Sequence, residues 1–156
     1  EIADSVKIPV ISAGGIYTGR QILAAEILGA SGVQMGTRFL VSREAPIHEN
    51  FKKLLIDASD RDTIVTGITT SHPIRCYKNK LAEKLLEIEI NKLGEDEFEK
   101  YAKGSGKKAV IDGDVVWGSV MAGEGYEYLN KIESVKDIIE NIMRDYKDLK
   151  DNIIMN

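Results

Sequence analysis

Residues 8–39, IPVISAGGIYTGRQILAAEILGASGVQMGTRF, decide how this chain is read. The run KIPVISA is short, apolar and β-branched, enters through Pro9 and closes on Gly14-Gly15, which reads as a buried parallel strand. Thr18 then stands as an N-cap, Ile22, Leu23, Ile27 and Leu28 recur at helical spacing, and Gly29 marks the helix end. GVQMG, residues 32–36, is a second short strand. Strand, helix and strand at this spacing form a βαβ unit, so the two strands run parallel with their C-terminal ends side by side.

Outward from this unit the pattern changes. EIADSV at the start reads as helix, and Pro46 can begin another through IHENFKKLLIDAS, with Phe51, Leu54 and Leu55 on its apolar side. DTIVTGI, residues 62–68, has the β-branched density of a strand. His72-Pro73 interrupts the chain, and a long helix is expected from about Tyr77 to Asn91 with Leu81, Leu85, Ile88 and Leu93 inward. Residues 94–108 read as a short helix and a loop, residues 113–129 as a Gly-rich yet apolar segment. Ser134 and Asp137 open the last helix, whose expected buried stripe is Ile138, Ile139, Ile142, Met143 and Tyr146.

Composition limits the function. With 43% hydrophobic and 29% charged residues the chain is of ordinary globular type, and its net charge of −4 argues against nucleic acid, whose binding rests on cationic contacts to phosphate. No apolar run approaches the roughly 20 residues of a membrane helix. A single cysteine, Cys76, excludes an intramolecular disulfide, no Cys/His spacing suits a metal, and a cytoplasmic setting is expected. The chain opens on Glu1 within a helical segment, which reads as a piece of something longer.

The chemistry-bearing residues cluster where the two strands end. Ala13-Gly14-Gly15-Ile16 is followed by Gln34-Met35-Gly36-Thr37. Glycine lets backbone amides approach a phosphate that a Cβ would hold away, and it permits positive φ. In a (β/α)8 barrel this position, past the last two strands, commonly takes a phosphate. Arg38, one residue further, would balance phosphate charge or pair with a carboxylate. His48 reads as a solvated or capping residue, His72 as a candidate for the substrate pocket, Cys76 as a buried small apolar residue and Trp117 as packing. GSGKK, residues 104–108, lacks the first glycine and the trailing hydroxyl of a nucleotide loop.

IPVISAGGI, GASGVQMGTRFL and the later GDVVWGSVMAGEG, in this order, resemble the C-terminal half of FMN-dependent enoyl-acyl-carrier-protein reductase II and of the related nitronate monooxygenases, formerly 2-nitropropane dioxygenases. The likeness runs over nearly the whole chain, IRCYKN included. It implies an α/β fold: the last two βα units of a (β/α)8 TIM barrel, incomplete in this chain, and a mostly helical extension. The domains expected are residues 1–42 with the phosphate loops, 43–130 as a helical insertion or cap, and 131–156 as a closing helix.

The resemblance further implies an oxidoreductase that reduces trans-2-enoyl-acyl-carrier-protein thioesters in fatty acid synthesis, with FMN as cofactor and NAD(P)H as co-substrate. Nitronate oxidation by the same flavin is the alternative, and a non-catalytic fragment that binds no flavin is the alternative from another class. Gly14, Gly15, Gln34, Met35, Gly36 and Thr37 would hold the FMN phosphate, while His72, Ser119 and Glu124 would face the substrate. The family's usual residue at position 124 is glutamine, so Glu124 is a departure, and a carboxylate there would disfavour an anionic reduced flavin. Catalytic residues are expected in the part of the family sequence that precedes this one. Lys107 and Lys108 read as a solvated pair or as an attraction for an acidic carrier protein or a nicotinamide phosphate. Two lone parallel strands would expose edges and core surface, so association with the missing half, or of the chain with itself as a dimer, is expected.

Overall fold

Thr18 starts the helix that joins the two parallel strands. In the computed structural model, which describes residues 1–154, α1 (Ile2–Ser5) leads into β1 (Ile11–Ala13), α2 (Gly19–Ile27), β2 (Gly32–Gln34) and α3 (Thr37–Leu40). Thr18 and Gln21 form a reciprocal capping box on α2. The pairing is parallel, with Ile11 opposite Gly32, Ser12 opposite Val33 and Ala13 opposite Gln34. Then follow α4 (Glu49–Asp57), a 3-10 turn (Asp60–Asp62), β3 (Thr63–Thr66), β4 (Ile74–Tyr77), α5 (Lys80–Ile90), α6 (Glu95–Ala102), α7 (Ser105–Val110), a second 3-10 turn (Tyr126–Tyr128) and α8 (Val135–Ile154).

The chain divides into two units, one of Glu1–Glu44 with the stretch from Lys131 onward, the other Ala45–Asn130. In the first, α8 packs along α2. Gly19 makes this possible: a Cβ there would lie 2.2 Å from the backbone N of Tyr146 and 2.5 Å from the carbonyl oxygen of Ile142. A second tie lies further along the two helices, where the Tyr146 hydroxyl donates to Glu26 at 2.5 Å and Lys150 reaches the same carboxylate at 2.7 Å. The bond to Glu26 raises the Lys150 pKa, and the bond from Lys150 lowers that of Glu26. Ile138 and Ile142 are buried on α8 as expected, but Ile139 and Met143 are 46% and 38% exposed. Ile139 and Met143 each lie one residue past Ile138 and Ile142, which rotates them about 100° round the helix from the buried pair.

β1 and β2 pair only with each other among the described residues. In β1, Ile11 is correspondingly bare at 54% exposed, as is Ile8 just ahead of the strand at 72%.

The second unit is less helical than the sequence pattern suggests. β3 and β4 form an antiparallel hairpin, Thr63 opposite Tyr77 through Thr66 opposite Ile74. IRCY is therefore a strand, and the helix expected from Tyr77 begins at Lys80 because Asn79 intervenes. The Asn79 side chain accepts from the amide of Ala82 and donates to the carbonyls of Val115 and Gly118, at 2.7 and 2.8 Å for the latter two. That capping bond ends the strand and starts the helix. Similarly, α4 starts at Glu49 rather than near Pro46, because His48 Nδ1 accepts the amide of Asn50. The single short helix expected in 94–108 is two, separated by Gly104 in the left-handed region.

Leu81, Leu85, Ile88 and Phe98 form the core beneath these helices. Leu93, expected inward, is 52% exposed because α5 has already ended at Ile90. Trp117, read as packing, is 43% exposed. Cys76 is buried, and burial pushes its thiol pKa up. The Gly-rich segment is irregular but pinned: the Asp60 carboxylate accepts the amides of Gly125 and Tyr126 at 2.7 and 2.8 Å, and the amide of Tyr77 donates to the Val120 carbonyl at 2.9 Å. No helix among the described residues is long and apolar enough to cross a membrane.

Candidate functional site

Parallel pairing sets the geometry of the first site. Because Ala13 lies opposite Gln34, the loops that leave β1 and β2 start at the same level on the same end of the strand pair. Gly14 and Gly15 follow β1 with φ of +93° and +68°, where a side chain is strained. Gly36 follows β2 and precedes α3. A Cβ on Gly14, Gly15 or Gly36 would meet no atom of the described residues within 4 Å beyond its chain neighbours, so these glycines are not required by internal packing at those points. They border open space, the arrangement a loop needs if its backbone is to approach a phosphate. Gln34 is exposed beside them, while Met35 and Thr37 are half-buried.

Gln21 fixes the shape of the first loop. Its Oε1 accepts the amides of Tyr17 and Thr18, at 2.8 and 3.1 Å, and its Nε2 donates to the carbonyl of Gly15 at 2.8 Å. Thr18 as N-cap was legible in the sequence, but the part played by Gln21, and above all its reach back to Gly15, was not.

Arg38 resolves onto a carboxylate. Its Nη2 donates to Glu133 at 2.6 Å, with both side chains 10% exposed, and Lys131 reaches the other oxygen of Glu133 at 3.0 Å. Burial alone would raise the Glu133 pKa, but the bonds from Lys131 and Arg38 outweigh it and hold the group below the usual carboxylate range. Arg38 Nη1 is buried and has no hydrogen-bond partner among the described residues. The exposed glycine backbone is of the kind that a phosphate, such as that of FMN, would need, whereas the Arg38 charge is answered by Glu133.

A second site lies in the Ala45–Asn130 unit. A cavity of about 240 Å³ is lined by both His72 and Ser119, which the sequence reading placed with Glu124 facing the substrate. Glu124 does not line it: its carboxylate pairs with Arg75 at 2.9 Å, and Arg75 also donates to the hydroxyl of Thr63. Ser105, Phe98, Lys103 and Met121 share the cavity wall, and the sequence offered no sign of this because the hairpin that brings His72 round was not foreseen. His48 is elsewhere, capping α4 against Gly113.

Glu89 is the other residue that sequence reasoning passed over. On a helix surface it looks like any solvated glutamate, yet it is 8% exposed. Its carboxylate accepts the amides of Gly67 and Thr69, both at 2.9 Å, and the Thr69 hydroxyl at 3.1 Å. These bonds hold the 67–73 connection that carries His72.

Residues 1–145 match the family model described as nitronate monooxygenase. A probable nitronate monooxygenase of Staphylococcus saprophyticus is 31% identical over 150 residues, covering 92% of this chain and 40% of the relative. One from Staphylococcus haemolyticus is 42% identical over 91 residues, 58% of this chain and 26% of the relative. Among solved structures, FabK from Thermotoga maritima superposes with a TM-score of 0.92 at 41% identity, over 97% of this chain and 48% of that one. Nitroalkane oxidase from Streptomyces ansochromogenes superposes with a TM-score of 0.78 at 26% identity, over 97% of this chain and 43% of that one. The chain thus spans less than half the length of each of these relatives, and its α/β fold is shared with the two structures.

Proposed function

We propose that this chain, which belongs to the nitronate monooxygenase family, is the FMN-anchoring portion of a (β/α)8 oxidoreductase that reduces trans-2-enoyl-acyl-carrier-protein thioesters with NAD(P)H. The observation that carries this is the register of Ala13 against Gln34, which sets Gly14-Gly15 and Gly36 side by side before open space. The likeness to FabK, an enoyl-acyl-carrier-protein reductase II, at 41% identity favours the reductase chemistry.

FMN, when bound, supplies the hydride chemistry. The residues of this chain position it. Gly14, Gly15 and Gly36 let their loops close on the phosphate, Gln34, Met35 and Thr37 flank it, and the buried Arg38–Glu133 pair fixes the segment that follows β2. His72 and Ser119 face the substrate. The charge of Glu124, which stands where the family usually has glutamine, is answered by Arg75. The catalytic acid or base belongs to the rest of the parent protein. The bare faces of Ile8 and Ile11 are covered there by the other strands of the barrel, or in isolation by a second copy of this chain.

Nitronate oxidation is the second reading, favoured by the family model and by the Staphylococcus relatives. The first experiment is FMN addition followed by gel filtration. A 450 nm band that travels with the protein supports the anchor, and a band that elutes free leaves a fragment that binds no flavin and overturns it. Assay of the parent protein with NADH and crotonyl thioester, against propionate 3-nitronate and oxygen, then separates the two chemistries.

A further inference from the structure

The cavity in the Ala45–Asn130 unit has a floor and a rim of different chemistry. Leu85, Phe98, Thr66 and Ser105 are buried at its floor, and it opens off the core cluster to which Leu85 and Phe98 belong. His72, Glu99 and Lys103 are exposed at the rim. Ile74 and Met121, large apolar residues that also line it, are 41% and 44% exposed.

Polar groups near the floor are already engaged. The Ser105 hydroxyl donates to the Ala102 carbonyl at 2.6 Å, and the Ser119 amide donates to the Ser105 carbonyl at 2.9 Å. Leu85, Phe98, Ile74 and Met121 give this space a largely apolar lining, so a methylene gains by leaving water for it, whereas a polar group entering it gives up more water than it regains in partners. A polar head at the rim and an apolar chain inside is the ligand shape that satisfies both ends.

We propose that this cavity takes the aliphatic chain of the acyl thioester, and that Gly106 determines how long a chain fits. The assignment rests on the reductase reading given above. Gly106 lies in α7 on the cavity wall, and a Cβ there would sit 3.4 Å from the Met121 methyl, in ordinary contact. A side chain at position 106 therefore fills the space instead of disturbing the backbone. Alanine in particular is a better helix former than glycine, so Gly106→Ala keeps the fold.

The test uses the full 156-residue chain with carbon-13-labelled methionine methyls, titrated with trans-2-decenoyl and with crotonyl thioesters of N-acetylcysteamine. The Met121 resonance is expected to shift saturably with the decenoyl probe and to stay unmoved with the crotonyl one. Gly106→Val is expected to weaken decenoyl binding at least tenfold, with Gly106→Ala intermediate. A Met121 resonance that does not move at saturating decenoyl thioester overturns the assignment, as does equal decenoyl affinity across the three proteins. FMN binding is measured alongside. Bound flavin with a silent Met121 removes the cavity assignment alone, while a shifting Met121 without flavin binding removes the flavoenzyme reading and leaves a site for an aliphatic chain.

Discussion

Arg38 and Glu133, 95 residues apart in sequence, meet at 2.6 Å with both side chains only 10% exposed. Replacing one partner of such a pair leaves a buried charge uncompensated, at a cost of about 3 kcal/mol. Glu133→Gln is therefore expected to lower the urea midpoint markedly. The folded pKa of Glu133 lies below its unfolded value of 4.5, so the contribution of its charge is complete above that pH and fades as pH falls through the folded value. Denaturation curves at pH 7 and near pH 3 should differ less in Glu133→Gln than in the parent chain. An equal acid sensitivity in both would remove the pair from the account.

Gly19→Ala should destabilise, although alanine in a helix ordinarily gains up to about 1 kcal/mol over glycine. The reversal comes from the 2.2 Å approach of its Cβ to the Tyr146 backbone nitrogen, which forces α8 away from α2. A loss of about 2 kcal/mol is expected from such overpacking, read as a lowered Tm.

At Gly14 and Gly15 the cost should fall on the ligand as well as on the backbone. Gly15→Asn keeps a residue that tolerates a φ of +68°, so its stability should change by less than about 1 kcal/mol. FMN affinity should nevertheless fall at least tenfold, about 1.4 kcal/mol, because the new side chain occupies the open space. Fluorescence quenching of added FMN checks this, and undiminished affinity would place the phosphate elsewhere.

Glu89→Gln replaces a charged acceptor of three hydrogen bonds by a neutral one. Bonds to charged groups contribute about 1.5–3 kcal/mol, so the 67–73 connection should loosen before the rest of its unit. Amide exchange at Gly67 and Thr69 is expected to quicken by tenfold or more while the α5 amides keep their protection.

What was legible in the sequence was what local chemistry specifies. The Thr18 cap, the Gly29 stop and the two β-branched runs read out β1, α2 and β2 with little help from the rest of the chain. What was hidden depended on partners far away in sequence. IRCY carries no strand signal of its own until Thr63–Thr66 is laid against it, and Glu89 looks solvated until the 67–73 connection folds over its carboxylate. At the sites the division is the same. The glycines of the first loop announced themselves through their backbone freedom, whereas the neighbourhood of His72 and Ser119 exists only because a hairpin and α7 converge on it.

The place where the chain leaves its first unit is also the place where it returns. Ser42 and Glu133 pair as a one-residue parallel bridge, the amide of Arg43 donates to the Glu133 carbonyl at 2.9 Å, and Glu44 accepts the amide of Val135 at 2.9 Å. Ala45–Asn130 is thus a cassette strung between two anchored posts. A flexible substitute of any moderate length would close the same gap, since doubling a loop costs only about 0.6 kcal/mol. The frame of Glu1–Glu44 and the stretch from Lys131 onward thus holds its own junction together, whatever the length of chain strung between its ends.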